Sequence, residues 1–506
     1  MLFKIASASL MGIEAYLVDV EVDISLGLPT FITVGLPDAS VRESKERVRA
    51  ALKNCGYEFP SRKITINLAP ADRRKEGPAF DLPISLGFLA HLGLFPPERL
   101  KSYLFLGELA LDGSLKPGKG ILAAAVLAKK KRFKGIVVPK GNEKEAALVE
   151  GLHIYGMENM VQVVKLLSDP QAVAASEYSL SELLPQPNYE LDFQEIRGQQ
   201  HVKRALEVAA AGAHNVLLIG PPGAGKTMLA RRLPSILPPM TFDEIIQVTQ
   251  IYSAAGLLKD KGAVGERPFR APHHTISDAG MIGGGVIPRP GEVSLAHRGV
   301  LFLDELPEFR RRVLEDLRQP VEDGKVTVSR ASMSVIFPSS FMLAAAMNTC
   351  EDAYGSFLSS GIQCTDHQRI RYYSKISGPL LDRIDIQVEV PRVEFRHIVS
   401  RTEGECSDRI RERVVKAREK QLKRFTGKNI YCNAHMRNKE VKKFCGVDDK
   451  GKELLEMAVN RLGFSARGYT RVLKVARSIA DLEGEDEISP AHLSEAIQYR
   501  MMDKYF

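Results

Sequence analysis

The chain has 506 residues, which is too long for one hydrophobic core, so we expect about two to four domains. An apolar fraction of 44%, a charged fraction of 26% and the lack of any membrane-length apolar run predict a cytoplasmic protein with no membrane partner. The net charge of +8 permits a polyanionic partner but does not require one.

Residues 1–167 interleave short β-rich runs with helix-like runs, which predicts an α+β or α/β domain. The β-rich runs are residues 15–24, 30–34, 63–68 and 135–139, and the helix-like runs are residues 39–53, 84–92 and 121–129. Residues 168–191 are rich in Pro, Ser, Ala, Gln and Glu, a composition that is typical of a linker.

The rest of the chain divides into two further parts. Residues 192–390 alternate helices with apolar strands, and this pattern predicts a parallel sheet that helices cover on both faces. Residues 391–506 are almost wholly helical in pattern. The fold class expected for this part of the molecule is therefore α/β followed by a helical domain.

A phosphate-binding loop lies near the start of the α/β part. Residues 220–227 read GPPGAGKT, after a short apolar run and before a helix-like run. Glycines in such a loop let backbone N–H groups converge on an anion, the lysine reaches the β- and γ-phosphates, and the Thr hydroxyl binds Mg²⁺. The alternative is a glycine-rich loop that binds nothing, and the flanking strand and helix argue against it. The predicted nucleotide-binding residues are Gly220, Pro221, Pro222, Gly223, Ala224, Gly225, Lys226 and Thr227.

Two later strands end in polar residues that suit ATP hydrolysis. Residues 300–303 are apolar and are followed by Asp304, which is expected to hold Mg²⁺, and by Glu305, which is expected to activate a water. Residues 341–347 are followed by Asn348, a candidate contact for the γ-phosphate or the attacking water. A lone Asn at this position would more often only cap the strand.

Two arginines are candidates for stabilising the negative charge of a transferring phosphoryl group. Arg383 lies between Asp382 and Asp385, and Arg467 stands at the start of a predicted helix. Each is alternatively a member of a structural ion pair, which is the commoner role of an arginine beside acids. If they act as an arginine finger and a second sensor, a neighbouring subunit has to complete the site.

The chain also contains a strongly basic stretch with the pattern of one long helix. It is either a polyanion-binding surface or a solvated helix face with Glu412 and Glu419 interspersed, and the sequence does not decide between them. The basic residues between Arg396 and Lys428 are Arg401, Arg409, Arg411, Arg413, Lys416, Arg418, Lys420, Lys423 and Arg424.

Several longer motifs resemble one known family. They are RGQ at 197–199, RPFRAPHHT at 267–275, GEVSLAHRGVLFLDEL at 291–306 and SGPLLDRID at 377–385. Over essentially its whole length the chain resembles the magnesium-chelatase-like AAA+ family known as YifB or ComM. The resemblance implies an AAA+ P-loop NTPase core, a C-terminal helical lid, a homo-oligomeric ring of six subunits, and ATP with Mg²⁺. It also implies single-stranded or branched DNA as a partner, because the best-understood members are helicases that drive branch migration during natural transformation.

The resemblance also assigns the segments between these motifs. Residues 322–331 and 334–337 look like a hairpin that would place Lys325 and Arg330 towards a central pore, although a hairpin with a charged turn needs no DNA. Residues 268–291 look like an insertion into the second AAA+ helix. We interpret its His273 and His274 as residues that anchor the loop by hydrogen bonds, because no acid or Cys stands at metal-ligand spacing.

Residues 1–167 resemble the protease domain of Lon, an α+β fold of the ribosomal S5 domain 2-like type. Lon-type proteolysis needs a Ser nucleophile and a Lys base. Ala79 stands where the Ser would be, and Leu122 stands where the Lys would be. Lys116 and Lys119 are near, but neither can form a dyad without a nucleophile. We therefore expect a non-proteolytic domain that serves assembly or binds a protein partner.

The six cysteines include no C-x-x-C pair, which suits a reducing compartment. In many members of the family, two Cys pairs that would form a zinc clip come after the Asn equivalent to Asn348. This chain has only Cys350 and Cys364 there. Two thiolates do not fill a tetrahedral zinc site, so the sequence does not support zinc at this position.

Together these features predict a ring-forming, Mg²⁺-dependent ATPase that translocates DNA or drives branch migration. ATP would lie between subunits, with Arg383 supplied by the neighbour. Two alternatives stay open: a chelatase-type motor, which needs a partner with an integrin-like domain, and a chaperone-type motor that remodels proteins. The predicted domains are a Lon-like domain at 1–167, a linker at 168–191, the ATPase core at 192–390 and the helical lid at 391–506.

Overall fold

The computed structural model describes residues 1–185, 187, 189–258, 262–330, 333–355, 364–394, 404–428, 430–462 and 464–501. Contacts divide the chain into two compact units. Unit 1 comprises Met1–Gln186 and Thr241–Gly265, and unit 2 comprises Pro187–Met240 and Glu266–Phe506. The segment Thr241–Gly265 thus belongs by its contacts to unit 1, although it lies in the stretch that the sequence analysis gives to the ATPase core.

Unit 1 has a mixed set of strands. They are β1 (Leu2–Met11), β2 (Glu14–Ser25), β3 (Thr30–Val34), β4 (Lys63–Ala69), β5 (Tyr103–Phe105), β6 (Glu108–Leu109), β7 (Leu115–Lys116), β8 (Gly135–Pro139) and β9 (His153–Met157). The largest sheet has the order β1-β2-β4-β3, in which β3 runs parallel to β4 and the other neighbours are antiparallel. A parallel sheet β5-β8-β9 and an antiparallel pair β6-β7 complete the described strands of this unit.

Unit 2 contains the central parallel sheet that the sequence predicts. Its strands are β10 (Val216–Ile219), β11 (Phe269–Arg270), β12 (Gly283–Gly284), β13 (Arg289–Pro290), β14 (Val300–Leu303), β15 (Lys325–Arg330), β16 (Met333–Pro338), β17 (Met342–Met347) and β18 (Ile386–Glu389). The sheet has the order β11-β14-β17-β10-β18, and every neighbouring pair is parallel. Strands β10, β14 and β17 are buried at every position, because they are covered on both faces.

The helices follow the same division. In unit 1 and at the start of unit 2 they are α1 (Ala39–Arg42), α2 (Ser44–Asn54), α3 (Asp81–His91), α4 (Ile121–Lys130), α5 (Glu143–Ala147), α6 (Met160–Ser168), α7 (Leu180–Leu183), α8 (Gln200–Gly212), α9 (Lys226–Arg231), α10 (Leu233–Ile236) and α11 (Phe242–Ala255). The later ones are α12 (Asp278–Ile282), α13 (Glu292–Leu295), α14 (Arg311–Asp316), α15 (Arg318–Asp323), α16 (Cys350–Gly355), α17 (Asp366–Tyr373), α18 (Gly378–Leu381), α19 (Ser407–Arg424), α20 (Asn438–Phe444), α21 (Asp449–Leu462), α22 (Ala466–Glu483) and α23 (Pro490–Gln498).

The core of unit 1 lies between its largest sheet and α3. Strand β2 alternates buried and partly buried residues, so Val18, Val20 and Val22 point to one face. Helix α3 is buried from Asp81 to Ala90 and packs on β1 and β2. Gly87 of α3 allows this close approach, because a Cβ atom there would lie 2.6 Å from the side chain of Val22.

Helix α11 is held in unit 1 by packing and by a buried polar network. It packs against α4, and the hydroxyl of its Ser253 donates to the carboxylate of Glu145 in α5. The backbone N–H of Leu122 donates to the same carboxylate at 2.8 Å, and Asn142 donates to its second oxygen at 3.1 Å. Burial is the main reason that the pKa of Glu145 is raised, and these hydrogen bonds oppose it. The network explains why residues 241–265 associate with this unit.

The basic stretch forms helix α19, and its arginines serve intramolecular contacts. Arg413 pairs with carboxylates of α8 and of the preceding loop at 2.5 Å, and Arg424 pairs with a buried Asp of α22. Arg411 and Arg418 donate to backbone carbonyl groups within unit 2. These contacts support a packed structural helix rather than a polyanion-binding surface. Arg396 and Arg401 lie outside the described residues.

The fold class predicted from the sequence is confirmed, with a parallel α/β sheet followed by a helical C-terminal region in unit 2. Buried residues of the sheet, of α8 and of the C-terminal helices belong to one hydrophobic core. Among the described residues, no helix combines the length and the apolar character that crossing a membrane requires.

Candidate nucleotide site

The phosphate-binding loop and three of the predicted catalytic residues meet at one edge of the central sheet of unit 2. The phosphate-binding loop follows β10, Asp304 and Glu305 follow β14, and Asn348 follows β17. These three strands are parallel neighbours in the order β14-β17-β10, so their carboxyl ends lie side by side. Ligands of open α/β sheets bind at this edge.

The phosphate-binding loop has the backbone that a nucleotide site requires. Gly223 and Gly225 adopt φ angles of +76° and +91°, which are left-handed values that favour glycine. A Cβ atom at either position would meet nothing within 4 Å, so the space above the loop is open to a ligand. Helix α9 then begins at Lys226.

Lys226 is the cation of this loop and is only 8% exposed. Its ammonium group donates to the carbonyl oxygens of Gly220 and Pro221 at 2.7 and 2.9 Å, and to the side-chain oxygen of Asn348 at 3.0 Å. Burial lowers the pKa of Lys226, while the nearby carboxylates of Asp304, Asp352 and Glu305 partly offset this effect. The lysine therefore links the phosphate-binding loop to the end of β17.

Thr227 and Asp304 form the pair that the sequence assigns to Mg²⁺. The hydroxyl of Thr227 donates to the carboxylate of Asp304 at 2.6 Å. A hydroxyl and a carboxylate are oxygen ligands of the kind that Mg²⁺ prefers, so both residues would bind the ion directly or through water. Held there with a nucleotide, Mg²⁺ would neutralise negative charge on the phosphates.

Glu305 has an unusual backbone conformation for a residue with a side chain. Its φ is +54°, in the left-handed region, and 56% of its side chain is exposed. The carboxylate lies 3.4 Å from Nδ1 of His274. The ring of His274 lies 4.1 Å from that of His273, and His273 bonds the hydroxyl of Thr275 at 2.9 Å.

A cleft of about 280 Å³ opens beside these residues. The open loop backbone suits a phosphate chain, and the hydroxyl and carboxylates beside it suit Mg²⁺, so the residues present fit the phosphate and metal part of MgATP. The cleft is lined by Thr227, Arg231, Ala271, Pro272, His273, His274, Phe302, Asp304 and Glu305.

The sequence missed the position of His274 beside the candidate catalytic base. Both histidines were predicted to anchor the loop by hydrogen bonds. His273 does so through its bond to the hydroxyl of Thr275. Strand β11 precedes the histidines and is the parallel neighbour of β14, which precedes Glu305. The position of the two histidines after a strand was a signal that they lie at the same edge of the sheet as Glu305. However, the strand order that makes β11 adjacent to β14 cannot be obtained from local sequence pattern.

The surroundings of Asn348 hold its strand end in place. Its backbone carbonyl accepts from the hydroxyl of Tyr372 at 3.0 Å, and helix α16 begins two residues later. In the structure Cys350 and Cys364 form a disulfide with a Cα–Cα distance of 6.4 Å, within the range for such bonds. Reduced cysteines were expected from the sequence, and this pair differs because the fold brings the two residues together.

Arg383 and Arg467 are not among the residues that line the described cleft. The acid partner of Arg383 is Glu322, and its Nη1 also donates to the carbonyl of Pro379 at 2.5 Å. Asp385, which neighbours Arg383 in sequence, instead accepts from His214 at 3.2 Å and pairs with a different arginine.

The predicted hairpin is present as β15 paired with β16. Lys325 pairs with Pro338 at the base of the hairpin, whereas Arg330 pairs with Met333 beside residues 331–332, which lie outside the described part. The two basic residues therefore lie at opposite ends of one strand and do not form one cluster. Nε of Arg330 donates to the carbonyl of Gly285 at 3.3 Å.

The two positions that correspond to a Lon dyad lie in unit 1. Ala79 is in a short 3₁₀ turn, Pro78–Phe80, and its carbonyl accepts from Gly107 at 3.0 Å. The side chain of Leu122 is fully buried in α4. A lysine at position 122 would have to bury its charge in this core.

Comparisons with known proteins agree with the geometry. The family model described as "Magnesium chelatase, subunit ChlI" matches residues 192–398, a second described as "Subunit ChlI of Mg-chelatase" matches 20–142, and the C-terminal model of the same subunit matches 404–500. The chain is 44% identical over 499 residues to "Competence protein ComM" of Haemophilus influenzae, covering 98% of this chain and 97% of that protein. It is 42% identical to "Uncharacterized protein YifB" of Escherichia coli, covering 98% and 96%.

A more distant similarity concerns Lon. The chain is 28% identical over 202 residues to "Lon protease 2" of Bacillus subtilis, covering 37% of this chain and 36% of that protein. This similarity supports the Lon-like character of the N-terminal domain. With a parallel P-loop sheet, the nucleotide-site geometry and near full-length relatives, the chain belongs to the YifB/ComM family of magnesium-chelatase-like AAA+ proteins.

Proposed function

We propose that this chain is a Mg²⁺-dependent ATPase that assembles as a homo-oligomeric ring, a hexamer, and uses hydrolysis to translocate DNA or drive branch migration. The observation that carries the ATPase part is the convergence of Lys226, Thr227, Asp304, Glu305 and Asn348 at three adjacent strand ends. Lys226 and Thr227 would bind the phosphates and Mg²⁺, and Glu305 would take the proton of the attacking water.

The positions of two arginines support the proposed ring. Arg383 and Arg467 are the sequence candidates for charge stabilisation, and neither lines the described cleft. An arginine finger supplied by a neighbour is worth about 10³–10⁵ in rate. We assign Arg383 of one protomer to the nucleotide of the next, with Arg467 as the second sensor.

DNA is the polymer that we assign to this motor. The relative from Haemophilus influenzae is named for competence, a process of DNA uptake. In this chain the hairpin β15–β16 exposes Lys325, Thr327 and Arg330 on one strand. Contacts of this kind would follow the phosphate backbone and not read bases, so we expect preference for DNA shape, single-stranded or branched.

A second candidate is a chelatase-type or chaperone-type motor that remodels a protein partner, and the match to a magnesium chelatase subunit favours it. Unit 1 would then recruit the partner. The Ala at position 79 and the buried Leu122 support a non-proteolytic role for this domain in either case. We place the protein in the cytoplasm, where both ATP and DNA are present.

The first experiment measures ATP turnover in the full chain and in Lys226→Ala. We expect Lys226→Ala to abolish turnover, because it removes the cation that contacts the loop and Asn348. Lys439→Ala, at an exposed position of α20, is the matched control and should leave turnover unchanged. Unchanged turnover in Lys226→Ala would remove the ATPase assignment.

The second experiment separates the DNA motor from the protein-remodelling motor. ATP turnover is measured with single-stranded, forked and four-way-junction DNA at two salt concentrations. A DNA motor is stimulated, and the stimulation falls steeply with salt because phosphate contacts release counterions. Turnover that is indifferent to every DNA at both salts contradicts the DNA assignment and favours a protein partner.

A further inference from the structure

Glu322 is the carboxylate that pairs with the proposed finger, Arg383. The side chain of Arg383 is only 11% exposed, whereas that of Glu322 is 56% exposed. In addition, Nε of Arg383 is buried and has no hydrogen-bond partner among the described residues. The guanidinium is therefore held by Glu322 and by the carbonyl of Pro379, while its Nε keeps a donor that no described residue uses.

More than one arginine surrounds this carboxylate. The pKa of Glu322 is lowered, chiefly by its hydrogen bond from Arg383 and then by the charges of Arg383, Arg467 and Arg318, while burial opposes the shift. Glu322 lies in the last turn of α15, where the carbonyl end of a helix disfavours a negative charge. The arginines compensate for this position. Such a cluster suits a multiply charged anion such as a phosphate.

Glu322 is also directly connected to the base of the hairpin. Helix α15 ends at Gly324, whose φ of +64° turns the chain and whose N–H donates to the carbonyl of Pro320 at 3.0 Å. The carbonyl of Gly324 accepts from Ser339 at 2.9 Å, and Lys325 begins β15. Only two residues separate Glu322 from β15, and hydrogen bonds fix this connection. A movement of Glu322 would therefore be transmitted to the base of the strand.

We propose that Glu322 is a positioning residue that occupies the arginine cluster until a phosphate of the neighbouring protomer's ATP replaces it, and that its release moves the hairpin. This inference rests on the proposed function. Arg383 then contacts the phosphate instead of Glu322. The end of α15 is no longer held by this ion pair, and the base of β15 moves with it. Glu322 thereby couples the state of the nucleotide to the segment assigned to DNA.

The test uses the full chain with Glu322→Gln, which keeps shape and removes the charge. We measure kcat and KM for ATP with and without forked DNA, together with ring assembly. Without a competing carboxylate, we expect KM to fall about two- to fivefold, the range of a partly exposed ion pair. We expect kcat without DNA to stay within about twofold. Stimulation by DNA should be lost, because the variant lacks the ion pair whose release would move the hairpin.

Asp323→Asn is the matched control, because it removes the same charge from the adjacent exposed residue. Glu322→Asp keeps the carboxylate and should restore part of the DNA stimulation. The inference is overturned if Glu322→Gln behaves like Asp323→Asn, or if it abolishes assembly and turnover together, as a purely structural residue would.

The outcome is separable from that of the proposed function. Full turnover in Lys226→Ala removes the ATPase assignment and this inference with it. Loss of turnover in Lys226→Ala combined with unchanged KM and unchanged DNA stimulation in Glu322→Gln removes only the inference.

Discussion

Replacing Glu305 by Gln tests the candidate general base without altering the shape of the site. Glu305 has a φ of +54°, and Gln has the same length and pays the same left-handed backbone cost of about 1–2 kcal/mol. The contacts of Lys226 and Thr227 do not involve the Glu305 side chain, so they persist in the variant. The change therefore acts on proton transfer and on the contact with His274.

General base catalysis contributes about 10²–10⁴ in rate. We expect kcat of Glu305→Gln to fall by about that factor, which corresponds to about 3–5 kcal/mol of activation free energy. The assay is steady-state phosphate release at saturating ATP and Mg²⁺, alongside binding of a fluorescent ATP analogue. Affinity for the analogue should stay within about threefold of that of the wild type.

The matched control is Glu308→Gln. Glu308 is 53% exposed and pairs with Lys375 at 3.0 Å, three residues beyond Glu305. We expect its turnover to be unchanged, because surface ion pairs contribute little. A Glu305→Gln variant that hydrolyses ATP within about threefold of wild type would refute the assignment of the base. Loss of nucleotide binding would refute it too, since the residue would then be structural.

Further predictions concern stability and DNA. Asp385→Asn should lower the free energy of unfolding by about 3–5 kcal/mol in urea titration, because Arg471 and His214 lose a buried partner, and equal stability would contradict this. Burial would raise the pKa of Asp385, but Arg471 and His214 lower it below its ordinary value, so its contribution is present above about pH 4 and lost as the pH falls further. The stability curves of wild type and variant should converge in acid. For single-stranded DNA, Arg330→Ala should reduce the slope of log binding constant against log salt concentration by about 0.7, which corresponds to one phosphate contact. Lys325→Ala at the hairpin base should change this slope less.

The sequence predicted those parts of the site that depend on a few consecutive residues. The loop at 220–227, the acids after β14 and Asn348 after β17 each follow a short apolar strand, and a parallel sheet brings the ends of such strands together. The α/β sheet and the helical C-terminal region followed from periodicity over longer segments. Their roles in catalysis stay predictions that the kinetic experiments test.

The parts that the sequence did not provide depend on distant contacts. The pairing of Arg383 with Glu322 joins residues 61 apart, and the acid beside Arg383 in sequence, Asp385, binds other groups. Strand β1 is not among the predicted β-rich runs, although its burial alternates at first. The grouping of Thr241–Gly265 with unit 1 depends on the buried carboxylate of Glu145, which no local pattern marks.

The central claim is that two protomers complete each ATP site, and mixing two inactive variants tests it most directly. Lys226→Ala keeps Arg383, and Arg383→Ala keeps Lys226, so a mixed ring contains interfaces in which both residues are present. With random assembly about one interface in four is intact, so coexpressed variants should recover about a quarter of wild-type ATP turnover. Turnover in the mixture no higher than in either variant alone would contradict the shared site, as would Arg383→Ala that is fully active by itself.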